Sequence, residues 1–269
     1  MKVALVTGGA GAVGAAAARM LAEDGFRVVL ADRALERTQA ICDEICRNGG
    51  EAVAEPVDLL EEGASQRLID SVAERFGRLD CLVNNAGMTG APRIGSVELS
   101  VWNAVLALNL TVPMLLAQAA QPLMKGSGGG SIVNVASRVY LAGTGVAYTS
   151  SKSGLIGLTR VLAVQLGPDN IRVNAVAPSF LNTPFNDKIV KENTGLAASF
   201  RKMSPLGRLG TAEDVAGAIA FLASPRANFI TGDVIHVCGG TQLAPQPASA
   251  GADDASHNQT ESEEHLIAS

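Results

Sequence analysis

The sequence predicts one α/β domain in which a doubly wound parallel sheet of about seven strands is covered by helices on both faces, giving three layers. Short apolar runs alternate along the chain with longer stretches of helical periodicity, which is the pattern of consecutive β-α-β units with right-handed crossovers. The 269 residues, 47% of them hydrophobic, suit one large domain with an ample core. Aromatic residues amount to only 4%, and the abundant Ala, Gly and Val suit a buried parallel sheet with closely packed helices.

The predicted elements follow one another from the first residues. A strand (3–6) leads through a glycine-rich turn (7–14) into a helix (15–23), and a second strand (27–32) completes the first β-α-β unit. The other predicted elements are, in order, a helix (34–48), a strand (51–55), a helix (64–76), a strand (80–83), a helix (100–124) that continues through Pro113 and Pro122, a strand (131–136), a helix (148–166), a strand (171–175), a helix (212–223) that begins with the capping box of Thr211 and Asp214, and a strand (234–237).

The net charge of −5 is placed unevenly. Residues 244–269 contain five acidic residues and no Lys or Arg, which leaves 21 acidic and 21 basic residues in the body. A neutral body without a basic patch argues against nucleic acid as a partner. The first strand begins directly after Met1 and Lys2 with no signal peptide, and no apolar run is expected to be long enough to span a bilayer. We therefore expect a soluble cytoplasmic protein without a membrane partner.

The four cysteines are too few and too irregularly spaced for a disulfide framework or a zinc site, so reduced thiols are expected. Cys42 and Cys46 stand four residues apart on a predicted helix. They would either clip a metal or serve as small core-facing residues, and the second interpretation is favoured because no further Cys or His lies nearby. No metal is predicted.

The glycine-rich turn before the first helix predicts a phosphate site. Backbone N–H groups at a helix N-terminus and the absence of large side chains suit a pyrophosphate. Asp32 closes the second strand, where a carboxylate accepts hydrogen bonds from a ribose diol and repels a 2′-phosphate. This arrangement favours NAD over NADP. The adjacent Arg33 would either soften that preference or extend into solvent, and the second interpretation is favoured.

Tyr148 and Lys152 stand four residues apart in a run compatible with a helix, so the phenol and the ammonium would share one helical face. A free tyrosine titrates at about pH 10, and a neighbouring ammonium would lower that pKa by favouring the phenolate. Tyr148 would then exchange a proton with a substrate hydroxyl or carbonyl. Ser137 follows the apolar run 132–136 and is placed to hold the same substrate oxygen.

Parallel sheets of this kind bind ligands at the carboxyl ends of their strands. The residues just described fall at or beyond those ends, and together they resemble the motifs of the classical short-chain dehydrogenase/reductase family from Lys2 to about Gln242. The motifs that carry the resemblance are Thr7-Gly8 with Gly14, Asp32, Asp58, Asn84-Asn85-Ala86-Gly87, Asn109-Leu110, Ser137, Tyr148 with Lys152, the run from Arg172 to Pro178, Thr183, the run from Ser204 to Arg208, the run from Ile230 to Asp233, and Gly239-Gly240.

The resemblance implies a Rossmann-like fold and a role for each matched residue. Tyr148 would be the general acid/base, and Lys152 would lower its pKa and bind the nicotinamide ribose. Ser137 would orient the substrate oxygen, and Asn109 would hold a water that links Lys152 to solvent. The residues implied to bind the cofactor, NAD, are Gly8, Gly11, Ala12, Val13, Asp32, Arg33, Asp58, Leu59, Asn85, Ala86, Gly87, Tyr148, Lys152, Pro178, Leu181 and Thr183.

The implied activity is the interconversion of a secondary alcohol (a polyol, cyclic alcohol or diol) and its ketone by hydride transfer. Two alternatives remain, an NADPH-dependent reductase of 3-oxoacyl type and a dinucleotide-sensing protein without turnover. Residues 1–243 would form the catalytic domain, and the family implies a homotetramer. The acidic tail, 244–269, would be a flexible extension or would cross a subunit interface.

Several positions depart from the usual family pattern. Ala12 replaces a glycine of the phosphate turn, Ser179 replaces the glycine after Pro178, and Cys238 replaces an aspartate. The substrate pocket is expected from residues 88–93 and 138–146 and from a lid over 185–203. Two side chains of the expected pocket each have two alternative roles. Tyr140 would either supply a second hydroxyl to the pocket or pack as an aromatic ring, and Arg138 would either bind an anionic substrate group or form a salt bridge.

Overall fold

The computed structural model describes residues 1–90, 93–183, 186 and 194–243. It contains one sheet of seven parallel strands in the order β3-β2-β1-β4-β5-β6-β7, which confirms the predicted doubly wound α/β fold. The strands are β1 (Lys2–Thr7), β2 (Phe26–Asp32), β3 (Glu51–Pro56), β4 (Cys81–Asn84), β5 (Gly130–Val135), β6 (Ile171–Pro178) and β7 (Val234–Val237).

Helices cover both faces of the sheet. The described helices are α1 (Ala12–Glu23), α2 (Leu35–Arg47), α3 (Ala64–Phe76), α4 (Leu99–Leu106), α5 (Val112–Gly126), α6 (Val146–Leu166), α7 (Thr194–Met203) and α8 (Ala212–Ala223). Because successive side chains of a strand point to opposite faces, each central strand contributes to two cores. In β1, Ala4 and Val6 pack with α1, α2 and α8, whereas Val3 and Leu5 pack with α3, α5 and α6.

The strand order places the site. From β1 the chain proceeds to β2 and β3 on one side, and β4 returns to pair with the other side of β1. The connections on either side of β1 therefore leave in opposite directions, which opens a crevice at the carboxyl ends of β1 and β4. The predicted phosphate turn and the Asn85 segment both emerge at this crevice.

Most boundaries lie within one or two residues of the prediction, and three departures are larger. Helix α1 begins at Ala12, three residues before the predicted start, so part of the glycine-rich turn is already helical. Strand β6 continues to Pro178, because it pairs with both β5 and β7. The predicted helix over 100–124 is interrupted by one π-helical turn, Ala107–Thr111, between α4 and α5. The capping box of Thr211 and Asp214 is confirmed.

The expectation that no apolar run is long enough to span a bilayer was wrong in terms of length. The helical run Leu99–Gly126 has 28 residues and a mean hydropathy of 1.7 in its most apolar window, which would suffice to cross a membrane by length and composition alone. Within this fold its inner face is a core face, because Leu116, Ala120 and Met124 are buried with α3, α6 and the sheet. One third of that window is buried.

We predict that Thr211→Ala destabilises the fold through α8. The Thr211 hydroxyl accepts from the Asp214 N–H, and the Asp214 carboxylate accepts from the Thr211 N–H at 2.8 Å. Losing this cap should lower the free energy of unfolding by about 1 kcal/mol, measured by urea titration. Thr211→Ser keeps the hydroxyl and should match the wild-type midpoint. Equal midpoints for the Ala variant and the wild type would contradict the capping role.

Candidate active site

The glycine-rich turn between β1 and α1 approaches neighbouring backbone closely. Gly8 has φ +65°, and a Cβ there would lie 2.9 Å from Cα of Ala86. A Cβ at Gly14 would lie 2.2 Å from the carbonyl oxygen of Gly8. The N-cap residue of α1 is Gly11, which has no side chain to cap the first N–H groups of the helix. This small, uncapped helix start is a cradle that fits a pyrophosphate.

Asn85 and Thr7 join the turn to the end of β4. The Asn85 side-chain amide donates to the carbonyls of Thr7 and Gly8, both at 3.0 Å. The Thr7 hydroxyl accepts from the N–H groups of Asn85 and Ala86 at 3.1 and 3.2 Å. Asn85 therefore holds the phosphate turn in shape through its side chain, in addition to any contact that it makes with a ligand.

Asp32 lies at the carboxyl end of β2, beside the same turn. Its carboxylate accepts from the N–H groups of Ala10 and Ala34, each at 3.0 Å. Each carboxylate oxygen can accept further hydrogen bonds, so the group remains able to bind a ribose diol.

Arg33 is about half exposed and lies 3.8 Å from the Asp58 carboxylate. The two side chains line an open cleft of about 530 Å³ beyond the end of β3.

Ser137 and Tyr148 meet at the carboxyl end of β5. Ser137 follows the strand in an extended conformation, and Tyr148 stands in the first turn of α6. Burial raises the pKa of Tyr148 above its ordinary value of 10.0, and hydrogen bonding to Ser137 has a smaller effect that lowers it. The two hydroxyls form the predicted pair, yet the expectation of a lowered tyrosine pKa was wrong for the chain by itself.

Lys152 lies one turn after Tyr148 and is only 4% exposed. Its ammonium donates to the carbonyl of Val135 at 2.7 Å, and it stands 5.7 Å from the centre of the Tyr148 ring. Burial lowers the pKa of Lys152 to about 8. The ammonium therefore lies between the strand carbonyl and the face of the Tyr148 ring.

Asn109 is fully buried in the π-helical turn between α4 and α5. Its side chain accepts from the Met88 N–H and donates to the Met88 carbonyl, both at 2.9 Å, and donates to the Ser151 hydroxyl at 3.0 Å. A Cβ on Gly87 would lie 3.2 Å from the Asn109 oxygen and 3.5 Å from the Lys152 nitrogen. The structure therefore brings Asn109 and Lys152 together, and the Asn109 amide ties the segment after β4 to α6.

The predicted nicotinamide loop leaves the end of β6. Pro178 ends the strand, and Leu181 and Thr183 are both 8% exposed. The backbone of Leu181 forms a bridge with Gly210, and Asn182 donates to the Gly210 carbonyl at 2.8 Å. These contacts hold the loop against the segment that precedes α8. Leu59, the remaining predicted cofactor residue, is also buried, at 8% exposed.

Tyr140 and Arg138 occupy the short 3-10 turn after Ser137. The Tyr140 ring stacks on His236 with centroids 5.7 Å apart, and the Tyr140 hydroxyl is 2.8 Å from His236 Nε2. Arg138 is 5% exposed and donates to the Thr241 carbonyl at 3.4 Å, and burial lowers its pKa. Within the described ranges no acidic side chain pairs with Arg138. Tyr140 is thus a packed aromatic with a bonded hydroxyl.

The structure describes only some of the other residues predicted for the pocket and the lid. Phe180 stacks on Phe200 of α7 with centroids 4.9 Å apart, so the nicotinamide loop and the predicted lid are in contact. Residues 91–92, 184–185 and 187–193 of the predicted pocket and lid, like the tail from 244 onward, lie outside the described residues.

Cys42 is buried as predicted, whereas Cys46 is exposed, so the core-facing interpretation was wrong for Cys46.

Sequence reasoning missed four residues around the site. Ser151 links Asn109 to the Tyr148 carbonyl, and His236 partners Tyr140. Asn134 on β5 bonds the Thr159 hydroxyl on α6 at 2.9 Å, and both are fully buried. A polar residue inside the apolar run 132–136 was an available signal for Asn134. No local signal existed for His236, because it lies 96 residues from its partner.

Comparison with known proteins finds relatives that match most of the chain. The family described as enoyl-(acyl carrier protein) reductase matches residues 8–242. The chain is 38% identical to a 3-oxoacyl-(acyl-carrier-protein) reductase of Aquifex aeolicus, over 89% of this chain and 96% of the relative. It is also 38% identical to the cis-4-hydroxycyclohexanecarboxylate dehydrogenase of Sinomonas cyclohexanicum, again over 89% and 96%.

Solved structures share the whole fold. A protein of Sinorhizobium meliloti described as a short-chain alcohol dehydrogenase superposes with a TM-score of 0.86 at 35% identity, over 91% of this chain and 97% of that one. A protein of Beutenbergia cavernae described as a gluconate 5-dehydrogenase, with NADP bound at low occupancy, superposes with a TM-score of 0.85 at 33% identity, over 90% and 97%. The chain therefore belongs to the short-chain dehydrogenase/reductase family of oxidoreductases.

Proposed function

We propose that this protein is an NAD-dependent oxidoreductase that interconverts a secondary alcohol and its ketone, with Tyr148 as general acid/base. The observation that carries the proposal is the convergence of Ser137, Tyr148 and Lys152 at the same sheet edge as the glycine-rich turn. A polyol, cyclic alcohol or diol is the proposed substrate class. Two hydroxyls that share one hydrogen bond offer a substrate oxygen one donor and one proton acceptor.

The dinucleotide would lie along the carboxyl edge of the sheet. The turn from Gly8 to Val13 would hold the pyrophosphate, Asp32 the adenosine ribose, and Asp58 and Leu59 the adenine side. The segment from Asn85 to Gly87 and the loop from Pro178 to Thr183 would flank the other half. The nicotinamide, when bound, supplies the site that accepts or donates the hydride.

The side chains of this chain would handle the proton. In alcohol oxidation Tyr148 takes the hydroxyl proton and Ser137 holds the same oxygen, and in ketone reduction Tyr148 returns the proton. Because burial raises the pKa of Tyr148, ionised tyrosine is scarce at neutral pH and the oxidation rate is expected to rise with pH. Lys152, whose pKa is about 8, stays mostly protonated at neutral pH and supplies positive charge near the phenol. Asn109 and Ser151 hold α6 in place beside it.

The choice between NAD and NADP depends on two neighbouring residues. Asp32 is placed to repel a 2′-phosphate, which supports NAD. Arg33 is the feature that supports NADP, because it is about half exposed and only loosely paired with Asp58. We propose NAD as the preferred cofactor because the Asp32 carboxylate is fixed at the turn by two N–H donors.

A second candidate function is the reduction of a 3-oxoacyl thioester with NADPH. The Aquifex aeolicus relative, at 38% identity, favours it. A dinucleotide-sensing role without turnover is the third alternative, and the presence of both Tyr148 and Lys152 speaks against it.

We also keep the homotetramer and the cytoplasmic location as predictions. Exposed apolar side chains on α5 and α6, such as Leu115, Val161 and Val164, would support association between copies.

The first experiment follows the absorbance of reduced nicotinamide. Secondary alcohols, polyols and cyclic diols are each offered with NAD and with NADP, and a 3-oxoacyl thioester is offered with NADH and with NADPH. We expect NAD reduction by at least one cyclic or polyhydric alcohol. Turnover of the thioester alone, with NADPH, would move the function to the second candidate. Cofactor binding without any turnover would favour the sensing role.

We predict that Tyr148→Phe abolishes turnover and leaves cofactor binding intact. Removing the hydroxyl removes the proton carrier, which should lower kcat by about 10²- to 10⁴-fold, while the dissociation constant for NAD, measured by fluorescence titration, stays close to wild type. Tyr140→Phe removes the other tyrosine hydroxyl and serves as the control, with kcat expected near wild type. Retained activity in Tyr148→Phe would contradict the acid/base role.

We predict that Asp32→Asn weakens the discrimination against NADP. The amide keeps an acceptor of similar shape but loses the charge that repels a 2′-phosphate, so the ratio of kcat/KM for NAD to that for NADP should fall by about tenfold or more. Asp24→Asn, an exposed carboxylate at the other end of α1, changes the net charge equally and should leave the ratio unchanged. An unchanged ratio in Asp32→Asn would contradict the role of Asp32 as cofactor selector.

A further inference from the structure

A row of three polar side chains connects the middle of the sheet to the catalytic helix. Asn84 on β4 and Asn134 on β5 are paired in register, and Asn84 Nδ2 donates to Asn134 Oδ1 at 2.8 Å. Asn134 Nδ2 donates to the Thr159 hydroxyl of α6 at 2.9 Å, and that hydroxyl donates to the Leu155 carbonyl at 2.8 Å. We call Asn84, Asn134 and Thr159 the polar row.

Burying the polar row inside an apolar core is energetically unfavourable. Its members are 3%, 0% and 0% exposed, and the neighbouring side chains of the same layer, including Leu82, Ile132 and Leu162, are apolar. Burying two amides and a hydroxyl is unfavourable unless they bond one another, and apolar side chains of the same size would serve stability equally well. Asn84 Oδ1 has no hydrogen-bond partner among the described residues, whereas Asn134 and Thr159 bond each other. The specific gain from that bonded pair is a single defined arrangement of β5 and α6.

Those elements carry the proposed catalytic groups. Ser137 follows the end of β5, and Tyr148 and Lys152 stand in the first two turns of α6. Near the site the strand segment and the helix are joined by the hydrogen bond from Lys152 to the Val135 carbonyl, and the Ser137 side chain is close enough to Tyr148 to affect its pKa.

Away from the site, Thr159 and Asn134 provide a second point of attachment. Thr159 lies seven residues after Lys152, which is two turns and about 10 Å along the same helical face. Together with the apolar packing of Leu162 and Leu166 on the same helix, two hydrogen-bonded attachments at this separation restrict both the rotation of α6 about its axis and its sliding along the strand.

We propose that Asn134 and Thr159 are positioning residues that set the rotation and register of α6 on β5. They thereby hold the Tyr148 hydroxyl at Ser137 and the Lys152 ammonium at the Val135 carbonyl. The inference rests on the proposed function, in which these groups act on the substrate. Small displacements of reacting groups are costly in rate, so distant anchors of this kind contribute to turnover without touching the substrate.

The test is Thr159→Val, which keeps the shape of the side chain and removes its hydrogen bonds. Thr38→Val is the matched control, because Thr38 is also buried, at 1% exposed, and also donates to a carbonyl one turn back at 2.8 Å, but lies on α2. With an alcohol that the wild type oxidises, Thr159→Val should lower kcat about tenfold with KM for NAD unchanged. Thr38→Val should leave both unchanged. Wild-type kcat in Thr159→Val would overturn the proposal.

A second readout does not require turnover. The chain has two tyrosines, so in a Tyr140→Phe background the ultraviolet absorbance of ionised phenol reports Tyr148 alone. Because the Ser137 hydrogen bond lowers the pKa of Tyr148, loosening α6 by Thr159→Val should move the ionisation midpoint to higher pH, measured by a rapid pH jump. An unmoved midpoint would overturn the proposal. A wild type without turnover would instead contradict the proposed function, and this titration would still test the row.

Thr159→Ser covers the case in which the Val variant does not fold. Serine keeps the hydroxyl and loses one methyl group, so we expect wild-type kcat and a wild-type Tyr148 midpoint, with some loss of thermal stability. A tenfold lower kcat together with a shifted midpoint in Thr159→Ser would show that packing at this position, rather than the hydrogen bond to Asn134, controls the site, and would overturn the proposal.

Discussion

The ammonium of Lys152 donates a hydrogen bond to the backbone carbonyl of Val135, and this bond joins the helix and the strand that carry the other proposed catalytic groups. A buried ammonium is unfavourable, which is why the pKa of Lys152 is lowered to about 8. Its partner is a neutral carbonyl, so the positive charge is not cancelled by an acid at this bond. The arrangement leaves a positive charge beside the Tyr148 ring, where it would stabilise a phenolate that forms during the reaction.

Burial opposes charge on both members of this pair. It raises the pKa of Tyr148 and lowers that of Lys152, so each group by itself favours its neutral form. The hydrogen bond from Ser137 acts in the opposite direction on Tyr148. Burial makes each electrostatic contact stronger, because it reduces screening by water. The placement of α6 therefore matters for the chemistry in addition to the identity of the residues.

Local patterns in the sequence determined much of this protein. The seven strands, the capping box of Thr211 and Asp214, and the turn at Gly8 depend on spacing and on steric limits that act over a few residues, and all appear as predicted. The pairing of Tyr148 with Lys152 on α6 was predictable for the same reason, since helical geometry places residues four apart on one face.

Tertiary structure alone decided the rest, because packing between distant segments controls it. The interruption at Asn109 has a local cause, because Pro113 lacks the N–H that would bond the Asn109 carbonyl, but the contact of the Asn109 side chain with the backbone of Met88, 21 residues away, depends on tertiary packing. The Val135 carbonyl that receives Lys152 and the Asn134 amide that receives Thr159 become partners only when α6 packs on β5. The spacing of residues in the sequence determined which chemical groups the site contains. Long-range packing determined the partners of those groups and therefore their pKa values.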